Sequence, residues 1–139
     1  MKFVSRCEKE TFDLGLALGE KLTGGDVVLL TGFLGAGKTV FSRGVAKALG
    51  VCDPILSPTF TLMYTYQAPK GLTLCHIDAY RLKGVLEAEE AGIAEVIGAS
   101  DTIALVEWHE NISALFTHKK TILVKIKATS QEEREVTYS

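Results

Sequence analysis

"VVLLTGFLGAGKTVFSRG", residues 27–44, is the stretch from which the fold is read. Its apolar opening, with Asp26 just ahead of it, has no polar alternation. That is how a parallel strand covered on both faces reads. Gly32-Phe33-Leu34-Gly35-Ala36-Gly37-Lys38-Thr39 then satisfies the pattern G-x-x-x-x-G-K-[ST]. The glycines let the backbone curl and aim its N–H groups inward at phosphate oxygens. The helix that starts there adds the positive end of its dipole. In such a loop Lys38 bridges the β- and γ-phosphates and the Thr39 hydroxyl ligates Mg²⁺. The helix is expected from about Lys38 to Leu49, with Phe41, Val45 and Leu49 as its buried stripe and Gly50 as its stop. A strand before and an amphipathic helix after favour a phosphate grip over a plain glycine turn.

The remaining composition narrows the setting. The 139 residues fit one domain, 1–139. A net charge of −2 provides no basic footprint for gripping nucleic acid over a large surface. Cys7, Cys52 and Cys75 are scattered, form no C-x-x-C and fit a reducing compartment, each expected to be buried. His76, His109 and His118 show no metal-ligand spacing with them. No apolar run approaches the ~20 residues that span a bilayer, and charge interrupts the start "MKFVSRCEKETF" before any signal-peptide core forms. A cytoplasmic protein without membrane attachment is expected.

Ser5 and Glu8 have capping-box spacing, so a helix is predicted from there to about Leu22, with Leu14, Ala17, Leu18 and Leu22 on one face. Residues 57–67, "SPTFTLMYTYQ", read as a strand, "APKG" as a turn and "LTLCHID" as the returning strand. "VLEAEEAGIAEVIG" predicts one or two short helices, and "TIALVEW" a buried strand. A short helix is expected near residues 112–116. "TILVKIKA" alternates like a strand with one wet face, and "REVTY" is placed to pair with it. The order implies an α/β fold of the P-loop type: a mostly parallel central sheet flanked by helices, with antiparallel edge strands.

Magnesium also needs a carboxylate. Two apolar strands end in one, at Asp78 and at Glu107, and spacing alone does not choose between them. "HIDAYRL" crowds His76, Asp78, Tyr80 and Arg81 just past a buried strand, where a solvated loop would be the plain alternative. Trp108, the sole tryptophan, follows Glu107 directly and could equally be core. Ser57, Pro58 and Thr59 stand where P-loop proteins often keep a segment that senses the γ-phosphate. The absence of N-K-x-D favours ATP over GTP. No arginine-rich lid segment is present, which weighs against a small-molecule kinase.

With these motifs in place, the chain resembles the TsaE (YjeE) family. The matches are "LGAGKT" at 34–39 with "FSRG" at 41–44, "SPTFTL" at 57–62, "HIDAYRL" at 76–82 and "LVEW" at 105–108. The acidic stretch "EAEEAGIAEVI" adds a weaker one. The resemblance implies an ATPase, weak alone, that serves tRNA threonylcarbamoyladenosine modification through the partners TsaB and TsaD, with tRNA reached only indirectly. It implies ATP and Mg²⁺ as cofactors. By position, Gly32, Gly35, Ala36, Gly37, Lys38, Thr39 and Val40 would hold phosphates, and Thr39 with Glu107 would hold Mg²⁺. Asp78 would serve the attacking water, aided by Lys38 and by Thr59 as a switch residue. Trp108 would flank the nucleotide, and Glu8, Thr11 and Arg134 would lie at the adenine end. Phe33, Val40 and His109 depart from the family's usual residues. The alternatives are a small-molecule kinase and a nucleotide-gated binding module in which hydrolysis is incidental.

Overall fold

The computed structural model describes residues 1–33, 36–55, 62–117 and 119–139. Seven strands form one sheet: β1 (Lys2–Ser5), β2 (Val27–Thr31), β3 (Met63–Gln67), β4 (Thr73–Asp78), β5 (Thr102–Glu107), β6 (Thr121–Ala128) and β7 (Arg134–Tyr138). Their spatial order is β1-β7-β6-β2-β5-β4-β3. The four central strands, β6, β2, β5 and β4, are parallel. β3 pairs antiparallel with β4 at one edge; at the other, β7 pairs antiparallel with β6, and β1 antiparallel with β7. The helices are α1 (Glu8–Gly19), α2 (Lys38–Ala48), α3 (Val85–Glu90) and α4 (Ile93–Val96). Among the described residues no helix is long and apolar enough to cross a membrane.

The apolar run in β2 is explained by its two covers. Val28 and Leu30 share one core with Leu18 of α1 and with Phe41 and Val45 of α2. Val27 and Leu29 face the other way, into a core with Ala88 of α3, Ile93 of α4 and Ile112 and Phe116 of the 3-10 turn His109–Phe116. Alternate residues of a strand point to opposite faces, so a strand buried on both sides has no polar position left. The same parity places Leu74 of β4, and Ile103 and Leu105 of β5, on the α1–α2 face. Two residues further along each strand, His76, Asp78 and Glu107 fall on that face too.

Helices α1 and α2 approach until glycine is the only residue that fits. A Cβ on Gly15 would lie 2.1 Å from the Phe41 carbonyl oxygen, and one on Gly44 would lie 2.1 Å from that of Phe12. This close crossing fixes where α2 begins.

Several local expectations fail for physical reasons. β1 was not foreseen: its four residues carry no distinctive pattern, and it exists through pairing with β7 at the far end of the chain. Ser5 ends that strand and is fully buried, so its hydroxyl meets the Cys7 carbonyl at 2.9 Å and Thr11 Oγ1 at 2.6 Å. No capping box forms, and α1 is N-capped by Cys7 without a side-chain bond. The helix ends at Gly19 rather than Leu22, and Ala17 is exposed. Cys7 and Cys52 are exposed, against the expectation of burial, and Cys75 alone is buried. The hairpin β6–β7 and the paired short helices α3 and α4 form as expected. Of the strand expected over 57–67, Met63–Gln67 is a strand, and residues 57–61 lie outside the described residues.

A candidate nucleotide site where β2 meets α2

The site begins as a consequence of helix geometry. The first N–H groups of a helix have no acceptor within it. At α2 the N-cap is Gly37, with φ +106°, in the left-handed region that favours glycine, and no side chain caps the helix. Among the described residues the N–H groups of Gly37, Lys38, Thr39 and Val40 meet no acceptor, and they lie where α2 starts, just past the end of β2. Ser42 Oγ donates to the Lys38 carbonyl at 2.8 Å, inside the helix and away from those donors. Gly32 lets the turn run against β6, since a Cβ there would sit 2.7 Å from the Ile126 carbonyl oxygen.

Lys38 does not extend into solvent. Its Nζ lies 3.2 Å from Glu107 Oε1, and both side chains are largely buried. The other carboxylate oxygen, Oε2, lies 2.6 Å from Nε2 of His76. The Lys38 ammonium is also 5.5 Å from the centre of the Trp108 ring. Burial pushes the Glu107 carboxyl up, but the His76 hydrogen bond and charge, with the Lys38 ammonium, outweigh it and hold it below its ordinary value. Asp78 pairs in register with Glu107 across the parallel strands β4 and β5. Its carboxyl moves the opposite way: burial raises it and the neighbouring Glu107 charge adds, against a hydrogen bond from the Tyr80 N–H and the Lys38 charge. Two carboxylates side by side, driven apart in proton affinity, can take different tasks.

The exits of β4 and β5 are tied together. The Asn111 side-chain amide donates to the carbonyls of Ala79 at 2.9 Å and Tyr80 at 3.1 Å. The rings of Tyr80 and Trp108 meet edge to face, 5.0 Å apart. Trp108 has φ +59°, a strained conformation for a large side chain.

Of the residues singled out from sequence, Lys38, Glu107 and Trp108 are brought into contact, with Asp78 alongside. Ala36 is joined by Arg134, whose Nε donates to the Ala36 carbonyl at 3.0 Å. Thr11 is buried, and its methyl lies 3.6 Å from where a Cβ of Gly37 would be. Thr39 and Val40 stand on the first turn of α2 and are half-buried, while Glu8 opens α1 with an exposed side chain. Gly35 and Thr59 lie outside the described residues. Trp108 is not core: it is 37% exposed. His76 lies inside β4, within the strand expected over 72–78, and is fully buried rather than a polar tip past its end. Its signal was parity, two residues before Asp78 on the same face. Asn111 carried no signal, since its partners come from a loop about thirty residues away in sequence.

The donor set suits a nucleotide with Mg²⁺. Among the described residues no group of three or more His, Cys, Asp or Glu is arranged to hold a metal ion. Mg²⁺ bound with a nucleotide needs fewer protein ligands, one or two plus phosphate oxygens. Thr39 and Glu107 would be that number.

Comparison with known proteins identifies the family. The family model described as "Threonylcarbamoyl adenosine biosynthesis protein TsaE" matches residues 5–136. A protein of Treponema pallidum named tRNA threonylcarbamoyladenosine biosynthesis protein TsaE is 35% identical over 137 residues, covering 99% of this chain and 98% of the relative. One of the same name from Rickettsia conorii is 41% identical over 128 residues, 91% of this chain and 71% of the relative. The crystal structure of Bacillus subtilus YdiB superposes with a TM-score of 0.74 at 30% identity, covering 99% of this chain and 83% of that one.

Proposed function

The chain belongs to the TsaE family of threonylcarbamoyl adenosine biosynthesis proteins, and from that premise we propose that it is the ATP-binding and ATP-hydrolysing subunit of the tRNA-modifying machinery, acting in the cytoplasm through TsaB and TsaD. The observation that supports this most directly is the placement of Lys38. It stands at the uncapped start of α2, bound to Glu107 and beside Asp78.

In this reading the N–H groups at the start of α2 and the Lys38 ammonium would hold the ATP phosphates. Thr39 and Glu107 would hold Mg²⁺, with His76 at 2.6 Å from the second Glu107 oxygen to orient the carboxylate. The chemistry such an ion would supply is neutralisation of phosphate charge. Asp78, one strand away, would position a water for attack on the γ-phosphorus and take its proton as the bond to the bridging oxygen breaks and ADP leaves; its raised proton affinity makes it the better base of the pair. The net charge of −2 suits a subunit that meets tRNA through partners rather than alone.

The test is ATP turnover by the purified chain, alone and with TsaB and TsaD. Low turnover alone and a clear rise with partners is expected. Asp78→Asn should keep ATP binding and lose about 10²-fold or more of the stimulated turnover. Equal turnover with and without partners would remove the link to that machinery. Full function in Asp78→Asn would favour a nucleotide-gated binding module.

A further inference from the structure

We propose that Arg134 is a positioning residue for the phosphate loop, acting through the backbone, rather than a contact for the adenine base. The inference rests on the nucleotide reading above. Arg134 opens β7, at the far end of the chain from the glycine turn. Its Nε donates to the carbonyl of Ala36 at 3.0 Å. Its Nη1 gathers three carbonyls of the β6–β7 turn: Ser130 at 3.0 Å, Gln131 at 3.3 Å and Glu133 at 3.0 Å. One planar guanidinium thus joins the hairpin turn to the loop that precedes α2.

The bond to Ala36 has a directional consequence. A trans peptide is planar, and its C=O and N–H point opposite ways. No cis peptide occurs among the described residues. Fixing the Ala36 carbonyl toward Arg134 therefore fixes the Gly37 N–H toward the other side, where the open donors of α2 lie. Gly37, at φ +106°, has little steric resistance of its own to rotation of that peptide plane. An external hold is needed, and Arg134 supplies it from a half-buried position behind Ala36, itself 2% exposed. A charged donor on the carbonyl also polarises the peptide, which strengthens its N–H as a donor. The hairpin touches the turn at a second point, where Gly32 runs against the Ile126 carbonyl. The β6–β7 hairpin is thereby the back wall of the phosphate loop.

The experiment measures binding of ATP and of inorganic tripolyphosphate, each with Mg²⁺, by calorimetry on the full chain and on Arg134→Met and Arg134→Lys. A positioning role predicts that Arg134→Met weakens both ligands by the same factor, about tenfold or more. Arg134→Lys retains the charge but cannot reach Ala36 and the turn carbonyls together, so it should lose most of the same factor. A loss for ATP with tripolyphosphate unchanged would make Arg134 a base contact and overturn the proposal. Unchanged affinities with a lowered melting temperature would make it merely structural. Wild-type affinity in Arg134→Lys would reduce its role to charge. Binding of ATP without tripolyphosphate by the unaltered chain would also overturn it, because affinity would not then reside in the phosphate cradle. Failure of the unaltered chain to bind either ligand would instead remove the nucleotide reading itself, and this inference with it.

Discussion

Replacing Lys38 by Met tests what the buried pair of Lys38 with Glu107 contributes to the fold. Lys38 Nζ and Glu107 Oε1 are 3.2 Å apart, and both side chains are largely buried. At that distance, with an effective dielectric of about 20, the gross attraction is about 5 kcal/mol. Much of it is offset by the desolvation of both groups. Methionine keeps the alkyl bulk, and His76 still holds the second Glu107 oxygen, so Glu107 is not stranded. The expected net loss of folding stability is about 1–3 kcal/mol at neutral pH. The Glu107 carboxyl is held below its unfolded value partly by Lys38. A depressed carboxyl contributes stability that is present above its unfolded pKa and lost as pH falls through the folded one. The gap between wild type and Lys38→Met should therefore close in acid, where Glu107 is protonated in both. Urea unfolding of the ligand-free proteins at neutral and acid pH, within a double-mutant cycle with Glu107→Gln, reads both effects. A coupling energy below about 0.5 kcal/mol, or an equally stable Lys38→Met at neutral pH, would show a pair worth no more than an exposed one and refute the reasoning.

Two further outcomes follow from the same structure. Gly15→Ala gains about 1 kcal/mol of helix propensity, but its Cβ meets the Phe41 backbone oxygen at 2.1 Å, where no side-chain rotation helps. A net loss of about 1–3 kcal/mol is expected, seen as a melting temperature lowered by roughly 4–10 °C; an unchanged or higher value would mean that α1 and α2 can part freely. Trp108 is the only tryptophan and has the Lys38 ammonium 5.5 Å from its ring centre. Saturating ATP should therefore change its fluorescence, and constant emission at proven saturation would mean that Lys38 stays over the ring.

Much of the central sheet was legible because each of its strands is governed by burial. Val27, Val28, Leu29 and Leu30 carry no polar residue, and both faces of β2 are covered. The strand ends Asp78 and Glu107 were legible as acids beside a phosphate loop, and the register of β4 and β5 places them together. Which acid Lys38 would bind was not legible, because that depends on where α2 crosses the sheet. The crossing is set by Gly15 and Gly44, whose fit against opposing backbone leaves no periodic trace. His76 illustrates the same limit: its type and parity are visible, but its bond to Glu107 arises from the pairing of two strands. Arg134 could be assigned only a neighbourhood, since its hold on Ala36 joins residues 98 positions apart.

The link that Asn111 makes between the exits of β4 and β5 bears on how the mouth of the site breathes. Asn111 grips the Ala79 and Tyr80 carbonyls from the 3-10 turn that Trp108 begins, and the Tyr80 N–H in turn holds Asp78. Two loops joined in this way share one opening equilibrium, because neither can leave without breaking the bonds and the ring contact common to both. In amide exchange, the segment after Asp78 and the segment after Glu107 would lose protection together. Asp78 and Glu107 would thus be released, or ordered, in one event.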